Sequence, residues 1–178
     1  MASPFSIHRR YFHLITRPPH LETKGERKLK GAKMVDVSSK ESVVREAVAE
    51  GKVRLKRETI RKILEGKVEK GDVIEVSRVA GIMAAKRTAE FLPLCHPIPL
   101  TSVEVEVKCE EEFVKAICTV KTTYKTGVEM DALTCVTSTL LTVWDMVKKH
   151  EKDENGQYPV TELTEVRVVR KVKETTKS

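Results

Sequence analysis

The sequence predicts an α+β fold in which an antiparallel sheet packs against helices, and three observations carry that prediction. The longest segment with a single period, Glu129 to Lys149, is helical and holds neither Gly nor Pro. Thr101–Lys108 and Phe113–Lys121 alternate apolar and polar residues on either side of the acidic turn Glu110–Glu112, the pattern of a half-buried hairpin. Val166–Val172 alternates again late in the chain, so strands and helices are interleaved, with no internal repeat in view.

The long helix is the organising element. At about 100° per residue from Met130, the residues Met130, Leu133, Thr137, Leu140, Leu141 and Trp144 form one apolar stripe, widened by Val136, Val143 and Val147. Earlier in the chain Met34–Val37 alternates briefly. Ser38-Ser39 then predicts the cap of a helix over Lys40–Glu50, with Val43, Val44, Ala47 and Val48 buried. Val53–Lys56 reads as a short strand, and Glu58–Leu64 as a second helix closed by Gly66. Lys70-Gly71-Asp72 is a turn and cap leading into one helix from Val73 to Phe91. Phe91–Leu100 (FLPLCHPIPL) holds three prolines and cannot be regular structure, and Pro97 keeps the backbone of His96 extended. That rigid apolar segment presents Cys95 and His96 as a pocket wall would, although a core-crossing loop with a hydrogen-bonded histidine reads the same way. Glu151–Tyr158 is an acidic polar loop, and Lys173–Ser178 a frayed tail.

At 178 residues and 40% hydrophobic content the chain reads as a single domain over 34–178 behind a basic extension, 1–33, expected to be flexible. No run approaches the roughly 18 apolar residues of a membrane span, so a soluble chain without a membrane partner is expected. The net charge of +7 is unevenly placed: residues 1–33 carry eight Arg or Lys against Glu22 and Glu26, leaving 25 basic and 24 acidic residues beyond them. The body thus lacks the bulk positive charge of a nucleic-acid binder, and 4% aromatic content supplies few stacking platforms. An organellar leader, a disordered tail and an upstream start are all compatible with the extension. Cys95, Cys109, Cys118 and Cys135 show no C-x-x-C spacing, which suggests a reducing cytoplasm and no metal site.

Two residues depart from a plain amphipathic helix. Lys148 projects onto the line of Met130. Asp145, three residues earlier, lies beside Leu141 near the C-terminal end, where the macrodipole disfavours a carboxylate by about 0.3–1 kcal/mol. An ordinary surface pair, worth about 0.2–0.5 kcal/mol, fits the pattern. So does a lysine held partly out of water with its pKa lowered.

Taken together, LPLCHP (Leu92–Pro97), KTGVEMDALT (Lys125–Thr134) and WDMVKK (Trp144–Lys149) resemble the MoaC-type cyclic pyranopterin monophosphate synthases of molybdenum-cofactor biosynthesis. MVDVS (Met34–Ser38), KGDV (Lys70–Val73) and AGIMAAKRT (Ala80–Thr88) fit the same family in the same order. The resemblance spans about Met34 to Lys171. It implies a ferredoxin-like protomer, assembled as a homohexamer (a trimer of dimers) with sites at the dimer interface. The implied substrate is the GTP-derived 3′,8-cyclo-7,8-dihydro-GTP, whose imidazole ring is opened and rebuilt as a pyranopterin while a cyclic phosphate closes and pyrophosphate leaves. By the same resemblance Asp145 and Lys148 are the central catalytic pair and Lys70 a further catalytic lysine. Leu94, Cys95 and His96 form one substrate-binding wall, and Met130 with Asp131 a second. Arg45, Lys86 and Lys171 match positions that face phosphates or the ring. No tightly bound cofactor is implied, with Mg²⁺ entering only beside pyrophosphate, and the chain has no Walker loop. Two departures stand out: VKETTKS replaces the family's Gly-rich, lysine-containing tail, and the loop between Lys149 and Val166 is longer and more acidic. The alternative function is a non-catalytic nucleotide-binding regulatory module on the same scaffold, against which the presence of both Asp145 and Lys148 counts. A nucleic-acid binder rests on residues 1–33 alone.

Overall fold

Val43–Arg54 (β1), Ser102–Cys109 (β2), Phe113–Tyr124 (β3) and Glu162–Glu174 (β4) form one antiparallel sheet in the order β2-β3-β1-β4. The helices are Arg57–Leu64 (α1), Val73–Ala85 (α2), Thr88–Phe91 (α3) and Glu129–Glu151 (α4). Strands and helices alternate as β-α-β-β-α-β, the split βαβ arrangement of ferredoxin-like folds. This computed structural model describes residues 31–174. The expected flexible extension 1–33, save its last three residues, lies outside the described residues, as does the tail from 175 onward.

The hairpin is placed by its own alternation. Register runs from Ser102 opposite Lys121 to Cys109 opposite Val114, and Val105, Val114, Ala116, Cys118 and Val120 turn to the buried face. α4 covers that face, with Ala132, Val136, Leu140, Val143 and Val147 each 0% exposed. α2 packs on α4, and Gly81 is the point of closest approach. A Cβ there would fall 2.1 Å from Thr139 Oγ1 and 3.2 Å from the Cys135 carbonyl oxygen.

Three expectations are corrected. Lys40–Glu50 is not a helix: it is a bend followed by the central strand β1. Ala47, Ala49, Gly51 and Val53 alternate into the core. Glu46 and Glu50 point to the other face, where each carboxylate meets two cations from the flanking strands. Glu50 accepts from Lys115 at 2.8 Å and Arg167 at 2.7 Å; Glu46 pairs with Lys121 at 3.0 Å and with Arg170. Small inward residues gave this strand the composition of a helix, whereas its partners lie far away in sequence.

Val73–Phe91 is likewise two helices. The chain breaks at Lys86-Arg87, and the Thr88 hydroxyl donates to the Ala85 carbonyl at 3.0 Å, closing the end of α2 with a side-chain bond. Finally, the buried line of α4 is centred on Val136, Val143 and Val147, not on Met130. Met130 is 42% and Leu141 52% exposed, so Lys148 rides on an uncovered apolar flank instead of the core stripe.

Candidate active site

The C-terminal half of α4 carries the first group of candidates. Lys148 Nζ donates to Asp145 Oδ1 at 2.7 Å, one helical turn away. Lys70 arrives from the turn before α2, where Gly71 adopts φ 102° and Asp72 caps the helix through the Glu75 amide. Its ammonium donates to Asp145 Oδ2 at 2.7 Å and to the Asp145 carbonyl at 2.9 Å. Both predicted catalytic lysines therefore contact Asp145, two ammonium groups on one carboxylate.

The electrostatics of this group differ from the sequence expectation. Hydrogen bonds from Lys148 and Lys70 hold the Asp145 carboxyl down at about 2. Its hydrogen bond to Asp145 pushes Lys148 above the ordinary lysine range, opposite to the lowering expected from an apolar stripe. The reason is exposure: the side chains of Lys148 and Asp145 are 48% and 57% accessible, so contact with the carboxylate outweighs desolvation.

A second group gathers at the N-terminal end of α4. Leu94, Cys95, His96, Met130 and Asp131 line a cavity of about 560 Å³, with Val35, Val37 and Lys40 from the segment ahead of β1. His96 Nε2 donates to the Val35 carbonyl at 2.8 Å, so the Pro-bracketed histidine is oriented by backbone, as a pocket wall requires. Burial, then the Asp131 charge, pushes the Cys95 thiol up, which makes Cys95 a protonated wall residue and no thiolate. Asp131 is only 5% exposed, and burial raises its pKa against the pull of Thr88 and its own backbone amide.

Cations flank this cavity. Arg45 donates from Nε to the Tyr124 carbonyl at 3.1 Å and from Nη2 to the Lys125 carbonyl at 3.2 Å. Lys171 forms an ion pair with Glu129. Burial would raise the Glu129 carboxyl, but the Lys171 bond, its own backbone amide and the charges of Lys171 and Arg45 hold it below its usual range. Lys86 stands apart, lining a separate hollow of about 300 Å³ beside Thr101 and Ser102. Within one protomer it joins neither group.

The sequence reading gave Glu129 and Gly127 no functional part. A Cβ on Gly127 would sit 1.9 Å from Glu129 Oε2, so a larger residue there would displace the carboxylate that pairs with Lys171. Lys40 and Lys125 were not singled out for function. The Lys125 ammonium donates to the Ser38 carbonyl at 2.7 Å and ties down the segment that lines the cavity. A basic residue two before a Gly-Val-Glu helix start was the available signal.

Met130 and Asp145 lie about 22 Å apart along α4, at about 1.5 Å per residue, which is more than one small molecule spans. Between the two groups runs an uncovered apolar groove of about 400 Å³, lined by Phe91, Leu92, Met130, Leu133 and Leu141. Among the described residues no group of three His, Cys, Asp or Glu side chains is placed to hold a metal ion, and no helix is long and apolar enough to cross a membrane.

Sequence comparison agrees with the motifs on which these side chains stand. A protein of Sulfurisphaera tokodaii named probable cyclic pyranopterin monophosphate synthase is 62% identical over 142 residues, covering 80% of this chain and 94% of its own length. Proteins of the same name from Sulfolobus acidocaldarius and Pyrococcus abyssi are each 56% identical, over 79% and 81% of this chain and 98% and 91% of their own lengths. The MoaC family model matches residues 34–174, every described element included, and the chain belongs to the MoaC family.

Proposed function

We propose that this chain is a lyase of molybdenum-cofactor biosynthesis that converts 3′,8-cyclo-7,8-dihydro-GTP to cyclic pyranopterin monophosphate and pyrophosphate. The family membership and the name shared by its relatives support the reading. The observation that carries it is the contact of Lys70 and Lys148 with opposite oxygens of Asp145, both at 2.7 Å. Opening and reclosing a nitrogen heterocycle needs proton transfers at defined atoms, each worth about 10²–10⁴-fold from a positioned acid or base. An aspartate whose pKa is about 2 is a poor base at neutral pH, so its part is to orient two ammonium groups. Lys148 and Lys70 are then the proton donors. Each becomes a base once it has given its proton away.

The same reading places the complete site at a seam between two copies of the chain. One protomer's cavity of Cys95, His96 and Asp131 would meet its partner's lysine–aspartate group across the apolar groove on α4. Covering that group removes water, and desolvation lowers a lysine pKa toward the working range. Three such dimers make the homohexamer we assign to the protein, acting in the cytoplasm on a GTP-derived small molecule. Arg45, Lys86 and Lys171 are assigned to the phosphates or the ring, where a charge-assisted bond contributes about 1.5–3 kcal/mol. No resident cofactor is assigned. Mg²⁺ has a place beside the departing pyrophosphate, through the phosphate oxygens.

The test is turnover of the cyclic dihydro-GTP, followed as pyranopterin and pyrophosphate. Lys148→Ala is expected to reduce kcat by about 10²–10⁴-fold with the circular dichroism spectrum unchanged. A Lys148→Ala protein that keeps most of its rate would overturn the assignment.

A further inference from the structure

Glu69 and Lys70 are neighbours on the turn before α2, and their side chains reach α4 on either side of Lys148. Lys70 reaches back to Asp145, whereas Glu69 reaches forward to the residues that follow Lys148. One Glu69 oxygen accepts from Lys149 Nζ at 2.6 Å, and the other from His150 Nε2 at 3.0 Å. The histidine is itself gripped. Lys62 Nζ from α1 stands 3.2 Å from its Nδ1, and an ammonium can only donate, so Nδ1 accepts and the ring proton sits on Nε2, aimed at Glu69. The His150 side chain is 11% exposed, and its carbonyl accepts from Lys56 Nζ at 3.3 Å. A single carboxylate therefore fastens the Lys70 turn to the last turns of α4, with α1 behind it.

From this arrangement we infer that Glu69 is a positioning residue, which sets the distance between the Lys70 and Lys148 ammonium groups by locking the backbone that carries one to the backbone that carries the other. The inference rests on the catalytic reading of Lys70 and Lys148 given above. Magnitudes separate this role from a structural one. Glu69 and Lys149 are 56% and 68% accessible, and ion pairs so exposed contribute little to stability. Misplacement of a catalytic group by about 1 Å, by contrast, can cost about 10²-fold in rate.

The experiment is Glu69→Gln in the full-length protein. The expected result is a kcat lowered about 10–100-fold, with KM and Tm close to wild type. Combining it with Lys149→Gln or His150→Gln is expected to cost no more than the single change, because all act through one contact. Unchanged kcat, an effect on KM alone, a fall in kcat that tracks Tm, or additive losses would each overturn the inference. A readout independent of turnover keeps this distinct from a failure of the functional assignment. Trace acetylation read by mass spectrometry is expected to label Lys70 severalfold faster in Glu69→Gln, with exposed Lys108 unchanged as the reference. Equal labelling of Lys70 in both proteins would also overturn it, whether or not the wild-type chain turns over the cyclic dihydro-GTP.

Discussion

Asp131 and Asp145 lie near opposite ends of α4, and their surroundings push them in opposite directions. Asp145 has two ammonium partners in solvent, and hydrogen bonds from Lys148 and Lys70 hold its carboxyl down at about 2. Asp131 has burial and only partial hydrogen bonding, and its pKa is raised above the ordinary carboxyl value of 3.8. The folded chain therefore binds the Asp131 proton more tightly than the unfolded chain does. That stabilisation is fully present below the unfolded carboxyl pKa and is lost as pH rises through the folded value, so at neutral pH the buried charge is a net cost. Asp131→Asn keeps the shape and removes the charge. It is expected to raise Tm at pH 7, with the advantage over wild type shrinking as pH falls toward and below 3.8. Calorimetry across pH checks this, and a Tm difference that grows in acid would contradict it. Since Asp131 lines the cavity, the same variant is expected to bind substrate more weakly, a stability–function conflict typical of active sites.

At the scale of elements, α2 crosses α4 in close contact at Gly81. Thr139 is fully buried and already donates to the Cys135 carbonyl at 2.9 Å, so it has nowhere to turn when Gly81 gains a methyl group. Gly81→Ala is expected to cost about 1–3 kcal/mol through overpacking, lowering Tm by roughly 2–4 °C per kcal/mol. Gly81→Ala combined with Thr139→Ala should recover part of that loss, and a double variant no better than the single one would place the strain elsewhere. Helix α4, the hairpin β2–β3 and β4 were legible in the sequence because each carries its signal within its own residues or those of the next turn. The start of β1 was not. Its inward face is Ala47, Ala49 and Gly51, and its outward acids find their cations only across the sheet. A Cβ on Gly51 would meet Val136 and Val166 side-chain carbons at 2.9 Å, so small residues there answer to α4 and β4, not to strand propensity. The site shows the same division. Asp145 and Lys148 share one helix and could be paired from spacing, but Lys70 meets Asp145 from 75 residues away, and only the family resemblance put it there.

At the scale of the whole molecule, the proposed function requires two groups of residues at opposite ends of one long helix to serve a single substrate. Along α4 the separation of about 22 Å is fixed by helical rise and cannot be closed by bending a packed helix. Under the proposed function, a second copy related by a two-fold axis would solve the geometry: antiparallel apposition of two α4 helices would lay each cavity against the partner's lysine–aspartate group and produce two equivalent sites. The uncovered flank with Met130 and Leu141 gives that apposition an apolar surface to bury. Subunit mixing then makes a sharp prediction. Lys148→Ala and His96→Ala chains are each expected to form inactive assemblies, because every site lacks one of its two contributors. Unfolding and refolding an equal mixture should place the two kinds of chain together in half of the dimers. In each such hybrid one site takes Lys148 from the His96→Ala chain and His96 from the Lys148→Ala chain, and is intact. Activity should recover to about a quarter of wild type. If each protomer held a complete site of its own, mixing would restore nothing, and the seam would have to be abandoned.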